Sequence, residues 1–209
     1  TDLTYFTMGL SDGIFGQFKG FDLRGFDYSP NFANLILPGA TLRGFMMSSP
    51  AFNNKLDYTV FWGQEGGGRY GNLSPSLEES KDSYLNGINL SFSPTTKQNY
   101  KFTFSQGYGD DRDNYLNRHG YDASGNWHLG DFDFNYEVAN DSQTFAHVFR
   151  TNYTASKFNL EFEFRDINEE FMNMTGYGWR QGEFGYNLGF TYMPTDKLRI
   201  SNILNVYRD

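Results

Sequence analysis

The residues best placed to do chemistry are carboxylates and cations that recur at every second position among aromatic and aliphatic side chains. Asp131, Asp133, Glu137, Glu161 and Glu163 stand in two such runs, with Lys101, Arg165 and Arg199 as counter-charges. Carboxylates ringing a watery path favour cations, and acid facing base sets up a transverse field across it. Covalent catalysis has no comparable support. The residue two after His147 is Phe149 and Ser142 lies five before it, so the chain offers no Ser–His pair two residues apart. His119, His128 and His147 show no metal-ligand spacing. Asp110-Asp111-Arg112-Asp113-Asn114 opens like a calcium loop. It lacks the glycine at the sixth position and has Tyr121 where the twelfth-position glutamate belongs, leaving at most an opportunistic divalent-cation site on a hairpin tip. Gly66-Gly67-Gly68 beside Arg69 is no phosphate loop, because no Gly-Lys-Ser/Thr ending and no strand-to-helix context follows.

The elements that must carry these residues are strands. From Asp131 to Val138 the residues Phe132, Phe134, Tyr136 and Val138 share one face, with Asp131, Asp133, Asn135 and Glu137 on the other. Phe158, Leu160, Phe162 and Phe164 oppose Asn159, Glu161, Glu163 and Arg165 in the same way. Tyr186, Leu188 and Phe190 oppose Gly185, Asn187, Gly189 and Thr191, and shorter runs recur at 88–92 and 100–104. Period two marks a strand with two unlike faces. Helical spacing is sustained nowhere; the best candidate, Leu77 to Leu85, is short and polar. Turn clusters at 93–97, 122–125, 139–142, 154–157 and 194–196 separate the runs. These breaks predict about twelve strands, near 2–10, 16–24, 39–48, 55–63, 84–93, 99–108, 113–122, 126–138, 143–153, 157–167, 183–193 and 197–208. The change of alternation near Gly130 reads as a bulge.

Composition says what kind of sheet this is. Aromatics form 19% of the 209 residues, with 22 Phe and 15 Tyr, yet mean hydropathy is −0.62. A water-soluble core with so many rings would carry more aliphatic filling. A sheet with one lipid-facing and one polar face resolves the tension. The absence of cysteine excludes disulfides and thiolate metal sites. A formal charge of −8 argues against nucleic acid as a partner. No apolar run approaches the length of a transmembrane helix. Thr1-Asp2-Leu3-Thr4-Tyr5 has no basic region leading into an apolar core, so any signal peptide is expected to have been removed.

Connection lengths sharpen the reading. The long connections 25–38, 64–83 and 168–182 all follow even-numbered strands, provided that 113–122 is a strand, and the other parity has only short turns. Membrane barrels have this asymmetry. Tyr100, Trp127, Tyr153, Phe158, Tyr186 and Tyr192 lie near predicted strand ends, where interfacial rings belong. In 168–182 the apolar residues need shelter. That segment either packs as a surface loop, folds inward as a constriction, or contacts a partner or sugar through Tyr177, Trp179 and Arg180.

These alternating aromatic strands, turns such as Met193-Pro194-Thr195-Asp196-Lys197 and Gly/Asn/Asp-rich long loops resemble the Gram-negative outer-membrane β-barrel class, porin-like members included. The resemblance spans the chain but is architectural, with no motif that picks out one family. It implies one antiparallel up-and-down transmembrane β-barrel over 1–209, seated in the bacterial outer membrane. It further implies a non-enzymatic channel for ions or small solutes with a polar, acid-rich lumen and no cofactor. Membrane lipid is the expected partner, with a protein partner or a second copy allowed. Members of the class commonly finish on an aromatic residue, whereas this sequence finishes Tyr207-Arg208-Asp209, so the expectation includes a piece of a larger barrel. Two rival readings differ in kind: a scaffold barrel enclosing or anchoring a partner protein of an envelope complex, and a soluble carbohydrate-binding β-sandwich that buries its rings between two sheets. Some twelve-stranded barrels are phospholipases with a Ser–His pair, which this chain lacks.

Overall fold

A computed structural model describes residues 6–15, 18–30, 32–38, 41–65, 83–109, 118–174 and 181–208. The described residues form twelve strands: β1 (Thr7–Phe15), β2 (Phe18–Tyr28), β3 (Leu42–Ala51), β4 (Leu56–Glu65), β5 (Ser83–Thr95), β6 (Gln98–Gly109), β7 (Arg118–Leu129), β8 (Phe132–Asn140), β9 (Phe145–Ala155), β10 (Phe158–Ile167), β11 (Phe184–Thr195) and β12 (Leu198–Arg208). Each pairs antiparallel with its chain neighbours in one sheet of order β1 to β12. The chain is thus all-β and up-and-down, as the alternation predicts. No ladder joins β1 to β12 among the described residues, so the sheet is not closed. The two-sheet sandwich is not what forms: one continuous sheet leaves the aromatic face uncovered.

Register carries the alternation across the sheet. Asn126 pairs with Asn135, Asn135 with Arg150, Arg150 with Glu163 and Glu163 with Asn187, all on one face. Tyr136 pairs with Phe149, Phe149 with Phe164 and Phe164 with Tyr186 on the other. A slip of one residue would exchange the faces, so the pattern pins the pairing.

Two expected boundaries move. The cluster Asp122-Ala123-Ser124-Gly125 lies inside β7, and the β7–β8 hairpin turns at Gly130-Asp131 instead. The change of alternation at Gly130 is therefore a hairpin and not a bulge. Gly130 has φ +63, a conformation in which a Cβ is disfavoured. Gly130→Ala should cost about 1 kcal/mol in denaturant titration, and Gly130→Asn less. Likewise the first expected strand, 2–10, extends further: Ser11-Asp12-Gly13 is the irregular part of β1, where the register to β2 shifts and Asp12 takes φ 55.

Every long connection leaves from one end of the sheet. The stretches 29–41, 66–82, 110–117 and 168–183 join even to odd strands there, alongside the short 141–144 turn. At the opposite end β3 and β4 are joined through 52–55, and the other hairpins through two residues each.

Candidate functional site on the polar face

The polar face is the covered one. Glu137 and Asp122 are 2% and 1% exposed, and Thr103, Asn89 and Arg165 are also buried. Phe145 is 56% exposed on the opposite face, where Phe102, Tyr136, Tyr186, Leu188, Phe190 and Tyr192 are also open. Charged and amide groups lose hydration on burial and need partners in return.

Towards the short-turn end the polar face is a hydrogen-bonded belt. Asn99 Nδ2 donates to Ser91 Oγ at 3.0 Å and Ser93 Oγ at 2.8 Å. Asn135 Nδ2 donates to Asn126 Oδ1 at 2.8 Å, and Arg150 Nη1 to Asn135 Oδ1 at 3.2 Å. Lys101 pairs in register with Ser91 and Ser124 on this face. Nearer the long connections, Glu163 binds both Arg150 and Arg165, and Arg165 donates to Glu183 at 3.0 and 3.1 Å. The Arg165 guanidinium also lies 5.3 Å from the centre of the Tyr207 ring.

Beyond this belt, towards the long-connection end, the same face becomes apolar. Leu42, Phe61, Leu85, Ala139, Ala146, Val148 and Ile167 are buried there in one cluster with Leu35, Ile36, Leu37, Phe171 and Met174. The last five belong to the segments 32–38 and 168–174, which turn onto the face instead of standing clear of it. A Cβ on Gly120 would lie 2.5 Å from the Ile36 Cδ1, so β7 takes a side chain there only if Ile36 gives way. The Ile36 carbonyl accepts from Met174 N–H at 2.8 Å, tying the two segments together. Glu137 takes the rest of the load. Its Oε1 accepts the N–H groups of Asn34 at 2.7 Å and Leu35 at 2.9 Å, and its Oε2 the Asn34 amide at 3.1 Å. Bonds to a charged acceptor contribute about 1.5–3 kcal/mol each, and each buried aliphatic side chain about as much. Polar and apolar holds are thus comparable. Asp141, in the β8–β9 turn, anchors the second segment by accepting Met172 N–H at 2.8 Å.

The expected site residues therefore part company. Glu137, Glu163 and Arg165 are on the polar face but committed to the chain's own donors and acceptors. Asp133 pairs with His128 at 2.7 Å, and Glu161 accepts from Asn159 at 2.9 Å, both exposed near the short-turn end. Arg199 lies on β12, also exposed. Asp131 occupies the hairpin turn after Gly130, just before β8, where its carbonyl accepts from Thr154. Tyr177, Trp179 and Arg180 lie outside the described residues, as do 66–70 and 110–114. No cluster of three or more His, Cys, Asp or Glu suited to a metal occurs among the described residues. His147 bonds Tyr136 at 2.8 Å on the aromatic face.

The inward turn of 32–38 escapes the sequence reading. Its signal was available: Leu35-Ile36-Leu37 is an apolar triplet in a connection, needing shelter by the reasoning applied to 168–182.

On the exposed face the rings gather at two levels. Trp62 stacks on Tyr84 at 5.6 Å and Tyr84 on Tyr108 at 5.5 Å, near the long connections. Near the short turns Trp127 Nε1 donates to Tyr100 at 3.0 Å, and Tyr153 lies 4.7 Å from Phe132 and 6.2 Å from Phe158. Five of the six rings expected at strand ends, Tyr100, Trp127, Tyr153, Phe158 and Tyr192, lie at this second level, and Tyr186 lies nearer the other end. No protein-family model matches the chain, and no curated protein matches it.

Proposed function

We propose that this sheet closes into a transmembrane β-barrel of a bacterial outer membrane and acts as a constricted channel for ions or small solutes. The observation that carries the reading is the inverted burial: charges and amides covered, phenyl and phenol rings exposed. Lipid is the solvent in which such a surface is stable. Tyr100 and Tyr108 mark the two ring levels eight residues apart on β6, about 27 Å along a strand. At a typical tilt near 40° that is about 20 Å across, close to the apolar band of such barrels. The open edges of β1 and β12 are closed by strand pairing, with each other or within a larger barrel, because unpaired backbone is not tolerated in lipid.

The belt of Asn99, Asn126, Asn135 and Lys101 would line the wide part of the passage, and segments 32–38 and 171–174 its constriction. Since Glu137, Glu163 and Asp133 are paired, preference for cations is expected to be mild. A scaffold barrel around a partner protein needs interior room, whereas here the chain's own segments fill the loop end. Planar-bilayer recording tests the proposal. The purified protein should need detergent, insert, and give small discrete current steps. A chain that stays monodisperse in plain buffer and never inserts would sink it.

A further inference from the structure

Resting on that channel reading, we infer that residues 32–38 are a displaceable plug and that the Glu137 carboxylate is the latch holding it shut. A loop fixed only by packing would spread its contacts; this one brings two consecutive backbone N–H groups and a side-chain amide onto a single carboxylate. Glu137 is the one acidic side chain shown bonding the segment among the described residues, and it stands on β8, 103 residues from Asn34. The remaining contacts are apolar or run to the second inward segment, through Met174.

The latch has a second carboxyl group beside it. Asp122 is the diagonal neighbour of Glu137 across β7 and β8, since Ser124 pairs with Glu137 and Asp122 with Ala139. Asp122 is buried and shares a hydrogen bond with Glu137, which requires one proton between the two carboxyl groups. Glu137 therefore holds the plug with Asp122 at its side.

The chain has no cysteine, so single cysteines report cleanly. Leu35 is 1% exposed, and a Leu35→Cys thiol should react slowly with a soluble maleimide. Adding Glu137→Ala should speed labelling about tenfold or more, with Glu137→Gln, which keeps the shape, in between. Unchanged labelling in both Glu137 variants overturns the assignment.

Current gives the second readout. Ile36 Cγ1 lies 2.6 Å from the Cβ position of Gly120, so Ile36 Cβ is one bond further, within about 4 Å, inside disulfide range. Ile36→Cys with Gly120→Cys, placed in the Glu137→Ala background, should be silent when oxidised and conduct when reduced. Equal currents in both states overturn the plug. If labelling responds as expected while no variant conducts in bilayers, the latch stands and the channel reading falls.

Discussion

Replacing Phe162 with arginine is expected to destabilise the protein in lipid by about 2–4 kcal/mol and to block its assembly there. Phe162 sits midway along β10, its ring 6.3 Å from Phe149 and 6.4 Å from Tyr186 on the exposed face. In water an arginine at a half-open surface position is nearly neutral, because the guanidinium keeps its hydration. In the middle of a bilayer it must drag water or headgroups to its own depth. The two solvents thus predict different magnitudes for one substitution. Refolding into lipid vesicles, read by protease protection and by urea titration, makes the comparison. Near-wild-type stability of Phe162→Arg would mean that water covers this face.

Arg165→Met should be comparably damaging for a different reason. Arg165 is 6% exposed and lies between Glu163 and Glu183. Removing it takes a guanidinium from two partly buried carboxylates at once, and stripping one partner from a buried ion pair typically costs up to about 3–5 kcal/mol. Glu163 keeps Arg150. The double change Arg165→Met with Glu183→Gln removes both charges together and should recover most of the loss. A double variant as unstable as the single one would show that packing against Tyr207, and not charge, is what Arg165 supplies.

Sequence patterning and the folded chain agree wherever a strand's two faces meet two different surroundings. The segments around Phe132, Phe158 and Phe184 are legible for that reason: each ring is flanked by residues that could not share its side. Legibility fails where small polar residues serve the covered face. Asp122-Ala123-Ser124-Gly125 has turn chemistry, yet Asp122 and Ser124 point to the covered side, and Gly125 leaves room for the Trp127 ring folded over it. Ser11-Asp12-Gly13, past the expected end of the first strand, likewise lies inside β1. Such residues mark a turn in a water-soluble sheet and a lining in one with a polar interior. Local composition cannot separate the two, because the difference lies in what stands across the interior.

The candidate site was legible as a face and not as a set of contacts. That Glu137 and Glu163 belong to the polar side follows from period two. That Glu137 is taken by Asn34 and Leu35 depends on a contact between distant parts of the chain, which no window of neighbouring residues contains. Asp131 lies one residue outside the strand, which begins at Phe132.

The 103-residue separation between Asn34 and Glu137 also fixes an order of assembly. Every ladder in the sheet joins strands adjacent in the chain, so hairpins can be added one after another from nearby residues. The seat for residues 32–38 does not exist until β7 and β8 have joined, because closing so long a stretch is unrewarded before the strands between are in place. A newborn molecule must therefore pass through a stage in which the sheet is largely built and its mouth still gapes. If the sheet closes in a membrane as proposed, slow seating would leave that stage leaky, and Leu35, Ile36 and Leu37 would matter to assembly as much as to the finished protein.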